Sequence, residues 1–486
     1  MLKELKQQSN LTLTENQGVA YRSTYSHCLD FFATCGSLRH ETDRVIINKF
    51  IKAYEENPDY AMKLLFYARD IRGGLGERRL FNTVILYLCK KRPESVIKNL
   101  KYFSKFGRFD DILTLLDTKC QDALGEYIRS VLETDLKNLN TESGISLLAK
   151  WLPSVNTSSK DKKEQAKKIC RLLGMKERDY RKMLSALRKK AGIIENSMRI
   201  RDYSFDYSAV PSKAMFKYRK SFYKNDKERY AEYISAVNNG KAKMNASVIY
   251  PYEIVHSIIT ENQSCESLNA LDTIWKNLPF CTDNRNALAV IDGSASMYSC
   301  YGASVAPISV AISLGIYFAE RSKGAFANHF ITFSKTPRLI EIMGDSIGDK
   351  VEYCMSYNEI ANTDIYQVFM LILLTAIKNN LDKSELPEVI YIISDMEFDK
   401  GACEDKTVLE DAKEKFLEYG YILPQIIYWN VCARGEHFPV TMNENGVGLV
   451  SGWSQNIFSM VESQTISPFS LMEKVINDPR YKEISA

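Results

Sequence analysis

Histidine is scarce in this chain, five residues in 486, and no HExxH pair occurs among them. Metal hydrolysis built on imidazole ligands therefore has little to work with. The eleven cysteines are scattered from Cys28 to Cys432 without a CxxC pair. That spacing matches neither a zinc site nor a small disulfide scaffold, and reads as reduced thiols. No apolar run reaches eighteen residues, so no membrane-spanning helix is expected. The opening Met1–Lys6 has none of the apolar stretch a secretion signal needs, and the expected location is the cytoplasm.

Charge is present in both signs but is unevenly placed. Between Lys160 and Met244 stand 24 Lys and Arg against 10 Asp and Glu, although the whole chain is only +4. So basic a stretch suits an acidic partner, nucleic acid first. It suits equally a set of solvated helices whose lysines lie against acidic faces elsewhere. With 45% hydrophobic and 26% charged residues the chain has the profile of a globular protein. Its length calls for two or three cores.

Apolar positions recur at helical spacing in Val45–Tyr54, Ala61–Ala68 and Leu80–Leu88. Asn57-Pro58-Asp59 and Gly73-Gly74-Leu75-Gly76 separate these runs. Residues 1–283 are therefore expected to form an α-helical, HEAT-like repeat or solenoid domain, with 160–245 as its basic segment. Helices are expected there over Lys160–Leu173, Glu177–Ala191 and Ala214–Tyr223. The candidate RNA-binding residues are Arg181, Lys182, Arg188, Lys189, Lys190, Lys217, Arg219 and Lys220. Tyr180, Tyr203, Tyr207, Phe216, Tyr218, Phe222 and Tyr223 are interleaved with them. Cations offer phosphate contacts, and aromatics offer stacking surfaces for unpaired bases. Aromatics at helical spacing are also the ordinary mark of a core.

From Asn286 the period changes. Buried-strand runs at Ala287–Ile291, His329–Phe333, Val389–Ile393, Gln425–Trp429 and Gly448–Ser451 alternate with helix-like Ser304–Arg321, Ile365–Lys378 and Val408–Tyr419. Such alternation predicts an α/β, Rossmann-like domain over 284–486, a parallel sheet with helices on both faces. In open sheets of this kind ligands bind beyond the carboxyl ends of the strands. Asp292-Gly293-Ser294-Ala295-Ser296 stands at the first such end, Ser394-Asp395 follows the third run, and Asn362-Thr363-Asp364 precedes a helix. Hard divalent cations take oxygen ligands, and a carboxylate with two hydroxyls along a turn can converge on one ion. The competing role for Thr363 is capping its helix.

The DxSxS pattern resembles the metal-ion-dependent adhesion site of the von Willebrand factor A family. That resemblance implies that Ser294, Ser296 and Thr363 bind Mg²⁺ (or Mn²⁺ or Ca²⁺) directly, with Asp292 and Asp395 holding it directly or through water. It also implies a coordination position left for a partner's carboxylate. Glu397 is the one neighbour placed to serve as a base, and a surface-loop position is expected for it.

RDIRGGLGERR at 69–79 lacks the Lys-Ser/Thr of a phosphate loop and follows no strand. Arg72, Arg78 and Arg79 are expected to pair internally with Asp70 and Glu77, with phosphate binding at the start of the next helix as the alternative. This segment, KFGRFDD (105–111), KWLPSVNTSSK (150–160), SALRKK (185–190), VPSKAMFKYRK (210–220), DGSASM and NTDIYQVF together resemble the domain-of-unknown-function 2828 family, a helical part joined to a von Willebrand A-like part. The architecture is similar to that of Ro ribonucleoprotein (TROVE) proteins, in which helical repeats bind RNA. The resemblance implies a non-enzymatic RNA-binding or ribonucleoprotein scaffold with a Mg²⁺-dependent module and no catalytic residues. The alternative is a protein-interaction adaptor whose cation site captures an acidic side chain of a partner, as in von Willebrand A proteins that work with AAA-type ATPases.

Overall fold

The computed structural model describes residues 9–280, 285–299, 304–333, 336–357, 364–400, 406–461 and 466–486. It opens with an element that helical periodicity does not announce. Strands β1 (Leu11–Leu13) and β2 (Val19–Tyr21) pair as an antiparallel hairpin, Leu11 opposite Tyr21. Three-residue strands are too short to display an alternation.

Helices follow in succession from α1 (His27–Thr34) to one ending at Lys276. Their breaks fall at the sequence punctuation. Asn57 caps helix Pro58–Arg69 by accepting from the Tyr60 N–H. Gly174, at φ 67°, ends α2 (Lys160–Leu173) in the left-handed conformation. In α3 (Glu177–Lys190) the buried residues are Tyr180, Leu184 and Leu187, spaced by four and three, so the charged positions other than Arg188 face outward. After it come α4 (Ile194–Arg199), α5 (Ser212–Asn225) and α6 (Pro251–Thr260).

The remainder is a six-stranded mixed sheet flanked by helices. Its strands are β3 (Ala287–Asp292), β4 (His329–Phe333), β5 (Leu339–Glu341), β6 (Val389–Ser394), β7 (Gln425–Asn430) and β8 (Val447–Ser451). Their spatial order is β5-β4-β3-β6-β7-β8, all parallel except the edge strand β5. The sheet grows to one side of β3 through β4 and to the other through β6. The switch point therefore lies between β3 and β6, where open α/β sheets bind ligands. Strand β5 and a helix over Ile347–Ser356, capped reciprocally by Ser346 and Asp349, add to the sequence-based expectation.

Alternation along β3 divides the interior. Leu288 and Val290 face a core shared with Val368, Phe369, Leu409 and Phe416. Ala287, Ala289 and Ile291 face a larger core that runs without interruption into the helical half, from Cys28 to Ile484. On this face α7 (Pro307–Arg321) approaches β3 closely, and a Cβ at Gly315 would fall 2.2 Å from Ile291 Cδ1. The segment after the last α-helix of the sheet half fastens the two halves further. Asp70 accepts from the Arg480 guanidinium and, at 3.0 Å, from the Tyr481 hydroxyl. Asn99 Nδ2 donates to the Ser485 carbonyl at 2.6 Å. Among the described residues no helix is long and apolar enough to cross a membrane.

Candidate cation site and basic cleft

Asp292 ends β3 and Asp395 follows β6, so the two carboxylates flank the switch point. Both are buried, at 0% and 2% exposure. Asp292 Oδ1 accepts from the Ser294 N–H at 2.9 Å, and its Oδ2 from the Ser394 hydroxyl at 2.6 Å. The hydroxyls of Ser294 and Ser296 stand 3.0 Å apart. Just past Asp395, Met396 holds φ 70°, a conformation that side chains rarely take. Burial, and then the charge of Asp395, push the Asp292 carboxyl up to about 7. A divalent ion here would relieve both effects, because it favours the ionised form of each carboxylate.

The donor set is therefore two carboxylates and two hydroxyls, all oxygen, which matches a hard cation such as Mg²⁺. Among the described residues no three His, Cys, Asp or Glu side chains gather in metal-holding geometry, so the hydroxyls are essential to any such site. Thr363 lies outside the described residues. The cap of the helix it precedes, Ile365–Asn379, is Asp364, which accepts from the Gln367 N–H at 3.3 Å.

Residues that sequence reasoning did not connect complete the surroundings. Arg434 reaches Asp395 Oδ2 at 3.3 Å and also pairs with Glu15 in the turn of the N-terminal hairpin. That turn lies on the segment after Asp395. Thr14 donates to the Phe398 carbonyl at 2.7 Å, and the Glu15 N–H donates to the Glu397 carboxylate at 2.8 Å. Glu397 is thus 1% exposed, not a surface-loop residue, because the hairpin covers it. His437 faces it at 3.7 Å. No local motif signals this arrangement, since its partners stand almost four hundred residues apart in sequence.

The second feature is a cleft of about 830 Å³ between α3, α4 and the loop at Ser154–Asn156. Arg181, Lys182, Arg188 and Lys189 line it from α3, and Arg199 lines it from α4. No carboxylate is in the lining. Arg181, Lys182 and Lys189 are exposed candidates from the sequence, while Arg199 is an addition that only the fold of α4 reveals. None of these four makes an ion pair among the described residues. The other candidates lie elsewhere. Lys190 donates to the Thr141 carbonyl, and Lys220 pairs with Glu261 at 2.7 Å. Arg219 is 4% exposed and bonds the Ser257 hydroxyl, the Phe216 carbonyl and Glu261. Lys217 is exposed beside the Tyr218 ring.

The interleaved aromatics are mainly core. Tyr180 is buried with its hydroxyl on the Pro153 carbonyl, and Tyr207 and Phe222 pack with Tyr230 at ring separations of 5.1–5.3 Å. No aromatic ring is exposed in the cleft, so any stacking there falls to guanidinium planes.

Against known families, the model of the domain of unknown function DUF2828 matches residues 14–130 and 159–278. The helical half belongs to the DUF2828 family. The model of a second domain of unknown function, DUF7788, matches residues 286–474, the sheet half. An uncharacterized protein of Acanthamoeba polyphaga mimivirus is 27% identical over 508 residues, covering 96% of this chain and 87% of the relative. The crystal structure of the Deinococcus radiodurans RO (RSR) protein aligns at 14% identity with a TM-score of 0.41, over 90% of this chain and 99% of that one.

Within the DUF2828 part, the arginine-rich segments are structural. Arg69, 2% exposed, pairs with buried Asp111 at 2.6 Å. Arg78 bonds Asp111 and Asp110, each at 2.7 Å, and Arg108 shares Asp110. Gly107 permits this packing, since a Cβ there would fall 2.2 Å from Asp111 Oδ2. Arg79 reaches Asp43 at 2.7 Å. Arg78 and Arg79 thus pair internally, but with Asp110, Asp111 and Asp43 and not with the expected Asp70 and Glu77, which hold Arg480 and Arg39 instead. Arg72 instead donates to the Lys105 carbonyl.

Proposed function

We propose that this DUF2828 protein is a non-enzymatic RNA-binding scaffold of the cytoplasm whose cleft between α3 and α4 grips the phosphate backbone. The observation that carries the reading is the cleft lining itself: five cations, no carboxylate, and none of the five in an ion pair among the described residues. Surface lysines and arginines in a folded protein are usually interspersed with acids. A concave surface of one sign focuses its field and attracts a polyanion. Reversing Lys182 and Lys189 to Glu, which leaves the buried contacts of α3 in place, should abolish binding of RNA in fluorescence anisotropy. Unchanged affinity would sink the reading.

A second reading rests on a separate observation, the paired carboxylates at the switch point. In this reading the sheet half is a von Willebrand A-type module in which Asp292, Ser294, Ser296, Asp395 and Thr363 hold Mg²⁺, Mn²⁺ or Ca²⁺, and the ion captures an acidic side chain of a protein partner, for example an AAA-type ATPase. The raised Asp292 carboxyl supports cation binding, and the all-oxygen donor set supports the class of ion. Partner capture that survives both EDTA and Asp292→Ala would exclude a metal bridge.

A further inference from the structure

One of the five cleft cations differs from the rest. Arg188 is partly buried, and its guanidinium donates from Nε to the Ala149 carbonyl at 2.8 Å, from Nη1 to Ser154 Oγ at 2.7 Å and from Nη2 to the Leu152 carbonyl at 2.7 Å. All three acceptors are neutral. A guanidinium carries five N–H groups, so two have no acceptor among the described residues. Other withdrawn arginines each have a carboxylate. Arg69 faces Asp111, Arg39 faces Glu77, and Arg219 faces Glu261. Arg188 has no carboxylate, and burial lowers its proton affinity from the usual guanidinium range. A cation that has lost part of its hydration without gaining a counter-charge is stabilised by an anion that reaches it.

Depth decides what form that anion takes. Arg181, Lys182, Lys189 and Arg199 are exposed at the rim, and Arg188 is set below them. A duplex is stiff over far more than the length of this cleft and carries its phosphates on its outer surface, so it meets the rim. An unpaired strand can turn one phosphate inward while its neighbours follow the rim cations.

Resting on the nucleic-acid reading above, we infer that Arg188 is the floor of a phosphate subsite that takes one backbone phosphate of an unpaired strand. The three bonds to neutral acceptors hold the guanidinium in one orientation before the strand arrives. The rim supplies charge that any nucleic acid can use, and the floor supplies the preference for unpaired over duplex.

The test is fluorescence anisotropy of the full chain with a short labelled oligo(A) strand and with an RNA duplex of equal length, at one salt concentration. Arg188→Lys keeps the charge and loses the fork. Ser185→Trp, at an exposed position of the cleft lining one turn before Arg188, covers the floor while the Arg188 side chain itself is unchanged. Each should weaken the strand by about tenfold or more and leave the duplex within about twofold. Unchanged strand affinity in both variants, or an equal loss on the duplex, overturns the floor subsite. Displacement of the strand from the wild type by low-millimolar inorganic phosphate also overturns it, assigning the floor to a free anion. The rim double variant, Lys182→Glu with Lys189→Glu, tests the parent reading separately. It should lose both probes, and if it loses neither, cleft binding of nucleic acid falls with the subsite.

Discussion

The switch point of the sheet gathers two carboxylates and the cleft of the helical half gathers cations, and the two regions hold their like charges in opposite ways. Asp292 and Asp395 are buried, so their mutual repulsion acts in a low-dielectric interior and appears as a raised carboxyl on Asp292. The rim cations of the cleft are exposed, and solvent and salt screen their repulsion at little cost to folding. The first arrangement is an internal stress that one small ion removes. The second is an external field that a long polyanion can follow. Depth alone thus separates a site for a compact cation from a site for an extended anion.

The largest effect should come from the buried pair. A carboxyl held at about 7 in the folded chain, above its unfolded value, contributes stability fully present below the ordinary carboxylate range and lost as pH rises through about 7. In EDTA, unfolding free energy should therefore fall between pH 5 and 8 by an amount on the order of a few kcal/mol. Mg²⁺ should restore it at the upper end, where the ionised carboxylates bind the ion. Asp292→Asn should flatten the pH profile and remove the Mg²⁺ gain together. A variant that keeps the wild-type slope would show that the stress does not reside on this pair.

The cleft should respond to salt where the buried pair does not. Five cations on an unpaired strand predict an affinity loss of about a hundredfold between 50 and 200 mM salt, measured by anisotropy. The EDTA unfolding step attributed to Asp292 should change little over the same range, because buried pairs are weakly screened. If both move together, the two regions are not electrostatically distinct.

The contrast also explains what could be read from the sequence. Glu177–Lys190 carries its apolar positions and its cations on opposite faces of one helix, so periodicity alone placed Arg181, Lys182 and Lys189 outward. Asp292 and Asp395 were legible because a buried strand ends at each. Arg434 and Glu15 were not, since β1 and β2 are three residues each and meet the sheet only through tertiary packing. Arg219 shows the converse failure. Its position in a basic run reads as surface, yet Ser257 and Glu261 of another segment draw it inside.

Arg434 offers a smaller test, because it is a cation beside the candidate cation site. Its guanidinium opposes a divalent ion while it neutralises Asp395. Arg434→Gln should therefore bind Mn²⁺ about two- to fivefold more tightly by titration calorimetry, the range expected for one partly exposed ion pair. Weaker binding in this variant would mean that Arg434 positions Asp395 for the ion instead of competing with it.

The smallest expected effect separates the cleft from the basic stretch as a whole. Lys217 and Lys220 belong to the same positively charged run as Lys182 and Lys189, yet neither lines the cleft, and Lys220 already pairs with Glu261. If overall charge drew the nucleic acid, reversing these two would cost as much as reversing the cleft pair. If the concave lining does so, the charges outside it act only through screened solvent, and Lys217→Glu with Lys220→Glu should weaken binding by less than about threefold at physiological salt. Lys217 alone should account for most of that change, because Lys220 gives up an existing partner when it is reversed. A loss equal to that of the Lys182 and Lys189 reversals would move the binding surface from the cleft to the whole basic face.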